Sequence, residues 1–362
     1  MAMTGVPAGQ SNYDRVTDED GDDLRQRFHG FPVPNGPFNP ATKSPALLRE
    51  YGLPPRPDPN SHPLLRQVWD RGFGAPLTLQ QFSFDQELGE PNYRLQFRQT
   101  DELPFGETRF ETSLNWSGAY ITANRDRQFL QIWGVWRIPS NLRPPQAPSQ
   151  GMNGIDYMCS NWIGLDGQRL YFDSSLPQIG TSSTLPAGGG PTTAHAWTQW
   201  WARGIKKTVP VPLGLAVAPG NQVLAVLTAL NTRTVIVVMV NLSMMQAMAV
   251  KAAAPPVNVD GVTARPEIAG ATAEWIVERP AIPGKTELYN FPDYGHTEFD
   301  CCVAVEGDNV DIFSLFGGLS QQLQAARRIR MFEVLLNPAR TEFISMPGKL
   351  SDTTLRVKYG SF

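Results

Sequence analysis

From about residue 110 onward the chain is a succession of strand-length apolar or alternating segments, each cut off by Gly, Pro or Asn. "RQFLQIWGVWRIP", "SNWIGLDG", "HAWTQWW", "QVLAVLTAL", "TVIVVMVNL", "TAEWIVE", "TEFDCCVAVEG" and "TTLRVKYGSF" follow one another in this way. Gly and Pro number 32 each in 362 residues, and punctuation that dense favours many short strands over long helices. The pattern predicts an all-β fold, a two-sheet β-sandwich or jelly roll. One stretch departs from it. In "SLFGGLSQQLQAARRIRM", residues 314–331, Leu319, Leu323, Ala326 and Ile329 approximate a helical stripe, which predicts a surface helix inserted late in the sheet.

The preceding part reads differently. An acidic run, "TDEDGDD" at 17–23, is followed by the Pro-rich stretches "FPVPNGPFNP" and "YGLPPRPDPN", which offer little to a core. Beyond them "HPLLRQVWDRGF" suits a short amphipathic helix and "LTLQQFSF" a strand, packed on the domain that follows. The division expected is an N-terminal extension over 1–109 and a β-sandwich domain over 110–362.

Composition excludes several classes of partner. With a formal net charge of −3 and 18% charged residues, the chain carries no nucleic-acid footprint. The longest apolar run, "VIVVMV", is strand-sized, and the N-terminus shows no apolar stretch of signal-peptide length. Cys159, Cys301 and Cys302 form no readable disulfide framework.

The chemistry narrows by elimination. "HTEFD" sets His296, Glu298 and Asp300 on one strand face, but a solvated face is the commoner reading of one histidine with two acids. There is no G-x-S-x-G elbow. "DSS" and "DTT" lack the glycine that paired catalytic aspartates need. Tryptophan is more informative. In "HAWTQWW" strand alternation puts Trp197, Gln199 and Trp201 on one face, as expected of an aromatic-walled groove; core packing should claim about half of the eight tryptophans after residue 110. In "TAEWIVE", Glu274, Ile276 and Glu278 share a face, so Glu274 is either a solvated strand residue or a reactive group.

Taken in order, "NWSGAY", "GVWRIP", "SNWIGLDG", "LPQIG", "AWTQWW" and "TAEWIVE" resemble the eqolisins, the glutamic peptidases. The resemblance runs from about residue 110 to the closing "LRVKYG". It implies a sandwich of the concanavalin A-like lectin and glucanase architecture and an acid-acting endopeptidase, with no metal and no cofactor. It also implies a monomer that acts on protein or peptide, not on nucleic acid or membrane, and a secreted one. Carried onto matching positions, Glu274 and Gln178 are the catalytic pair, and Trp116, Trp136, Trp197 and Gln199 border the substrate groove. Glu274 would act as general base and acid on water, and Gln178 would stabilise the oxyanion. Where fungal members read W-x-E-W this chain has "WTQW", so Gln199 replaces a carboxylate. The leading segment of this family is often a removable propeptide, a role residues 1–109 would fill. Two other functions fit a Trp-lined sandwich. One is a carbohydrate-binding module or glycosidase, with Glu278 as the nearest second acid, about 13 Å along the strand from Glu274. The other is a catalytically silent binding protein.

Overall fold

Side-chain alternation along these segments is resolved into two sheets that share one strand. The computed structural model describes residues 24–83, 110–144, 154–167, 175–202, 208–256, 266–282, 287–307, 319–336 and 339–360. Ahead of the sandwich come β1 (Phe28–Gly30), α1 (Pro45–Glu50), α2 (Pro63–Phe73) and β2 (Thr78–Leu79). The sandwich begins with β3 (Phe110–Ser113), β4 (Trp116–Thr122), β5 (Gln128–Arg137), β6 (Tyr157–Leu165), β7 (Ser175–Leu185) and β8 (Thr193–Ala202). It continues through β9 (Val211–Leu213), β10 (Gln222–Asn231), β11 (Thr234–Asn241), β12 (Gln246–Ala253) and β13 (Thr272–Glu278). It ends with β14 (His296–Gly307), β15 (Leu319–Gln321), β16 (Arg327–Leu336), β17 (Ala339–Lys349) and β18 (Leu355–Tyr359).

The front sheet runs β9–β8–β7–β6–β13–β4–β16–β17–β18 with antiparallel neighbours, and β3 lies parallel to β16. The back sheet runs β12–β11–β10–β5–β14–β15. β14 belongs to both: His296–Phe299 pairs with β18, and from Asp300 the strand pairs with β5. The register slips between Asp300 and Val303, and Cys301 takes the left-handed conformation with φ 57°. This bulge turns the strand from one sheet into the other.

Between the sheets lies the main core. Ala273, Trp275 and Val277 of β13 face Ile132 and Trp136 of β5 and Val223, Ala225 and Leu227 of β10. Each buried inner indole finds an acceptor: Trp275 Nε1 donates to Trp133 O at 2.8 Å, Trp136 Nε1 to Thr181 Oγ1 at 2.9 Å and Trp200 Nε1 to Ser175 Oγ at 3.0 Å. This is the satisfaction a buried Trp requires.

Two sequence expectations are corrected. The described residues of 314–331 form β15, a 3₁₀ turn at Leu323–Ala325 and β16, not a surface helix. The period of two wins because β16 packs: Ile329 and Met331 are buried while Arg328 and Arg330 stack on Phe110. Nor are the Pro-rich stretches poor in core. Phe38 and Leu53 of those stretches, with Leu48 of α1 between them, are buried with Leu65, Trp69 and Phe73 of α2 against the outer face of the back sheet. Proline lacks an N–H, so an extended Pro-rich chain can lie across an apolar face without stranding donors. β1 and β2 tie this layer to β12, antiparallel and parallel. At Gly72 an added Cβ would meet Leu224 Cδ1 at 3.0 Å, so α2 sits directly on β10. The expected helix in "HPLLRQVWDRGF" is α2, and the strand expected in "LTLQQFSF" is only the two residues of β2.

Candidate active site

The outer face of the front sheet carries the polar and aromatic residues singled out from the sequence, and strand register decides which of them meet. Tyr120 lies opposite Glu274, Glu274 opposite Gly164, Gly164 opposite Gln178, and Gln178 opposite Gln199. Residues directly opposite in a sheet point to the same side, so this is one row across five strands. The adjacent row reads Gly118, Ile276, Trp162, Gly180 and Trp197. A third holds Trp116, Glu278, Ser160 and Ser182.

Glycines give the face its relief. Gly164 contributes no side chain between Glu274 and Gln178, and a Cβ there would meet Leu176 Cδ1 at 2.7 Å and Pro177 O at 3.0 Å. At Gly180 a Cβ would come within 2.9 Å of the Trp197 ring, so the indole lies across that strand.

The row is held by hydrogen bonds. Thr272 Oγ1, on the same strand face, donates to Glu274 Oε1 and orients the carboxyl group. Gln178 Nε2 donates to Gln199 Oε1 at 2.7 Å, and Gln199 Nε2 donates to Thr208 O at 2.6 Å. Because the Thr208 carbonyl can only accept, it fixes which end of the Gln199 amide faces Gln178. Gln199 thereby fixes the Gln178 amide, leaving that group a second N–H. Among the described residues Gln178 Oε1 and Trp197 Nε1 are buried without a hydrogen-bond partner. Glu274, Gln178 and Gln199 are 0%, 1% and 3% exposed, so charge at this row acts in a medium that screens it weakly.

Glu278 lies four residues further along β13. It accepts from Trp162 Nε1 at 2.7 Å and Asn115 Nδ2 at 3.3 Å, and Trp116 donates to it as well. Burial lifts its pKa from 4.5 to about 7, against the lowering effect of these donors. Trp116 and Trp162 meet edge to face at 4.9 Å above it. Asp166, at the end of β6, accepts from the backbone N–H groups of Ala269, Gly270 and Ala271, which lead into β13. Burial raises it to about 6 despite those bonds.

Of the residues anticipated from the sequence, Glu274, Gln178, Gln199, Trp116 and Trp197 share this face. Trp136 does not. It belongs to β5, and its ring is buried between the sheets against Phe299 at 5.7 Å. Core packing claims more than the expected half of the eight tryptophans: Trp133, Trp136, Trp200 and Trp275 are buried in the main core and the back layer, and Trp116, Trp162 and Trp197 in a cluster on the front sheet's outer face. In "HTEFD", Glu298 is held by Arg356 and Asp300 lies 3.8 Å from Arg71. No group of three His, Cys, Asp or Glu side chains among the described residues is arranged to hold a metal. Sequence reading missed Thr272, Thr208 and Tyr120. Only Thr272 had a signal, its i−2 spacing from Glu274.

A model of the Peptidase A4 family matches residues 114–320. No match was found among curated proteins. Among solved structures the chain is similar to scytalido-glutamic peptidase with a peptide-based transition-state analogue, at 16% identity and a TM-score of 0.47, covering 68% of this chain and 98% of that one. It is also similar to the eqolisin SCP-B in complex with the tripeptide Ala-Ile-His, at 16% identity and TM-score 0.46, with coverage of 68% and 98%. Aspergilloglutamic peptidase from Aspergillus niger gives 19% identity and TM-score 0.41, over 56% of this chain and 99% of that one. The match across the strands that carry the outer-face rows shows that the chain belongs to the Peptidase A4 family, the glutamic peptidases that its sequence resembles, and is a peptide-bond hydrolase.

Proposed function

We propose that the protein is an acid-acting endopeptidase in which Glu274 and Gln178 are the catalytic dyad. The observation that carries this reading is the row Glu274–Gly164–Gln178. Two interstrand spacings put the dyad residues about 10 Å apart at their Cα atoms, with a side-chain-free strand position between them. In this reading the attacking water and the scissile amide are assigned to the space bordered by these two side chains. Glu274, as carboxylate, takes a proton from the water while the oxygen attacks the carbonyl carbon. The free N–H of Gln178 donates to the oxyanion that forms, and such a donor is worth about 3 kcal/mol in the transition state. Glu274 then returns the proton to the departing nitrogen, the C–N bond breaks, and an acid and an amine leave. Gln does not titrate, so the donor persists in acid. Trp116, Trp197 and Gln199 border the substrate. Trp136 is assigned to the core.

The extension is read in the same light. Within residues 24–82, Phe38 to Leu79 cover the sheet face away from the dyad and Leu24, Phe28 and Phe82 join the main core, so we assign them to the working enzyme, and any removable leader to the rest of 1–109.

The test is hydrolysis of an unfolded protein from about pH 2 to pH 7 by the wild type, Glu274→Gln and Gln178→Ala, with termini mapped afterwards by mass spectrometry. Both variants should lose turnover while staying folded. Near wild-type turnover in either one overturns the dyad.

A further inference from the structure

The catalytic row does not end at Glu274. On the side away from Gln178 it continues to Tyr120 of β4 and then to Arg327 of β16, which lies opposite Tyr120. Tyr120 is 1% exposed and packs with Ile276, Ile329, Trp116 and Trp162 on the groove face. Its hydroxyl donates to Glu111 Oε1 at 2.5 Å. Arg327 Nη1 lies 3.7 Å from the same carboxylate oxygen, and Arg327 also bonds the tyrosine side chain. Three strands, β3, β4 and β16, thus fix one phenol ring at the position beside the proposed base.

The two sides of Glu274 are therefore unequal. Toward Gln178 the facing strand position is Gly164, which contributes no side chain to the row. Toward β16 it has a full aromatic side chain whose tip is tied and which cannot rotate away without breaking its bonds. A substrate side chain that points to that side meets a fixed wall. We propose that Tyr120 is a specificity-determining residue that limits the size of the substrate side chain accepted on the β4 side of Glu274, with Glu111 and Arg327 as positioning residues that lock it. The proposal rests on the reading of Glu274 and Gln178 as the dyad.

The experiment uses the full chain and a peptide series in which the residues flanking the cleaved bond vary from Gly and Ala to Leu, Phe and Trp. A loss of about 10²–10⁴-fold in Glu274→Gln across the whole series confirms in the same assay that the dyad is being read. Wild type should favour small residues at one flanking position, and Tyr120→Ala should raise the large-to-small ratio of kcat/KM there about tenfold or more. Glu111→Ala should relax the ratio about threefold with the melting temperature little changed, whereas Glu111→Gln, which keeps an acceptor, should restore it. An unchanged ratio in Tyr120→Ala, at wild-type folding, overturns the size limit. If Glu111→Ala and Glu111→Gln behave alike, the lock is overturned. Wild-type cleavage that survives Glu274→Gln rejects the dyad, and the wall beside it falls too.

Discussion

The outer faces of the two sheets are built from the same β alternation and have opposite fates. On the back sheet, Val135, Leu224, Val226, Val238 and Val240 are buried beneath α2 and the Pro-rich segments. On the front sheet the equivalent face carries Glu274, Gln178 and Gln199 among tryptophans, with two polar atoms left without partners among the described residues. An apolar face exposed to water is costly, at about 25 cal/mol per Å², and covering it with the chain's own leading segment removes that cost. Buried polar atoms without partners cost free energy instead, and stability alone gives no reason to keep them. The back face is thus explained by folding, while the front face carries buried polar groups that folding alone does not account for. Substitutions should separate the two.

The largest effect is expected at the front. Glu274→Gln should lower kcat by about 10²–10⁴-fold, the usual contribution of a positioned general base. Its melting temperature should stay close to that of the wild type, because Thr272 can still donate to the side-chain oxygen. Steady-state assay beside thermal melts measures both, and loss of fold in step with loss of activity would erase the contrast.

At the back the expectation is reversed. Trp69 is fully buried, with Nε1 donating to Pro54 O at 2.9 Å, and Phe73 of the same helix meets Trp133 edge to face at 6.4 Å. Trp69→Ala should cost about 3–5 kcal/mol of stability in urea unfolding and leave turnover per folded molecule unchanged. If acid incubation instead removes residues 24–82 and the remainder melts as before, the layer is not structural and the comparison fails.

How much of this was legible in the sequence follows from which interactions are local. "TAEWIVE" and "HAWTQWW" could be assigned to faces because strand alternation is a property of neighbours in the chain, and both assignments hold in β13 and β8. Trp136 alternates just as well. Its side of β5 is the inside, a fact set by the partner sheet and not by "GVWRIP" itself. The stripe in 314–331 satisfied a helical period, but Arg327–Met331 also alternates, and pairing with β4 and β3 chose the strand. Tyr120 could not be placed beside Glu274 at all, since register between segments some 150 residues apart is a tertiary property. The Pro-rich segments were misjudged because low secondary-structure propensity says nothing of whether an apolar surface waits to be covered.

A smaller effect tests the front sheet's buried acids. Glu278 and Asp166 have pKa values raised by burial, to about 7 and about 6. Between the ordinary carboxylate range and these values the folded state binds more protons than the unfolded one, so stability must fall as pH rises through that window. Their contribution is complete below about pH 4 and is lost by about pH 7, a change on the order of a few kcal/mol for the two together. Melting temperatures measured from about pH 3 to pH 8 should decline across that interval, and Glu278→Gln should flatten the upper part of the decline. A flat profile in the wild type would mean that burial does not raise these two carboxyls above the ordinary carboxylate range.

The smallest expected effect concerns the neighbour of the proposed dyad. Gln199 accepts from Gln178 and donates to Thr208 O, so it uses both ends of its amide. A glutamate in its place can do the same only while protonated, when its O–H donates to the Thr208 carbonyl. Once ionised it faces that carbonyl oxygen with like charge and no donor. Three interstrand spacings, about 14 Å, separate this position from Glu274, so the direct Coulomb effect of the new charge on the base is minor. The disturbance instead reaches the reaction through the Gln178 amide, which loses the fixed partner that aims its remaining N–H. Gln199→Glu should therefore move the high-pH limb of kcat/KM downward, with a loss of about tenfold above the pKa of the new acid, one lost orientation being worth about 1.4 kcal/mol. Recovery of wild-type rate in acid would show that the protonated form reproduces the network. A profile that superimposes on the wild type throughout would show that Gln199 is a bystander on this face, and that the Gln178 amide is aimed by something else.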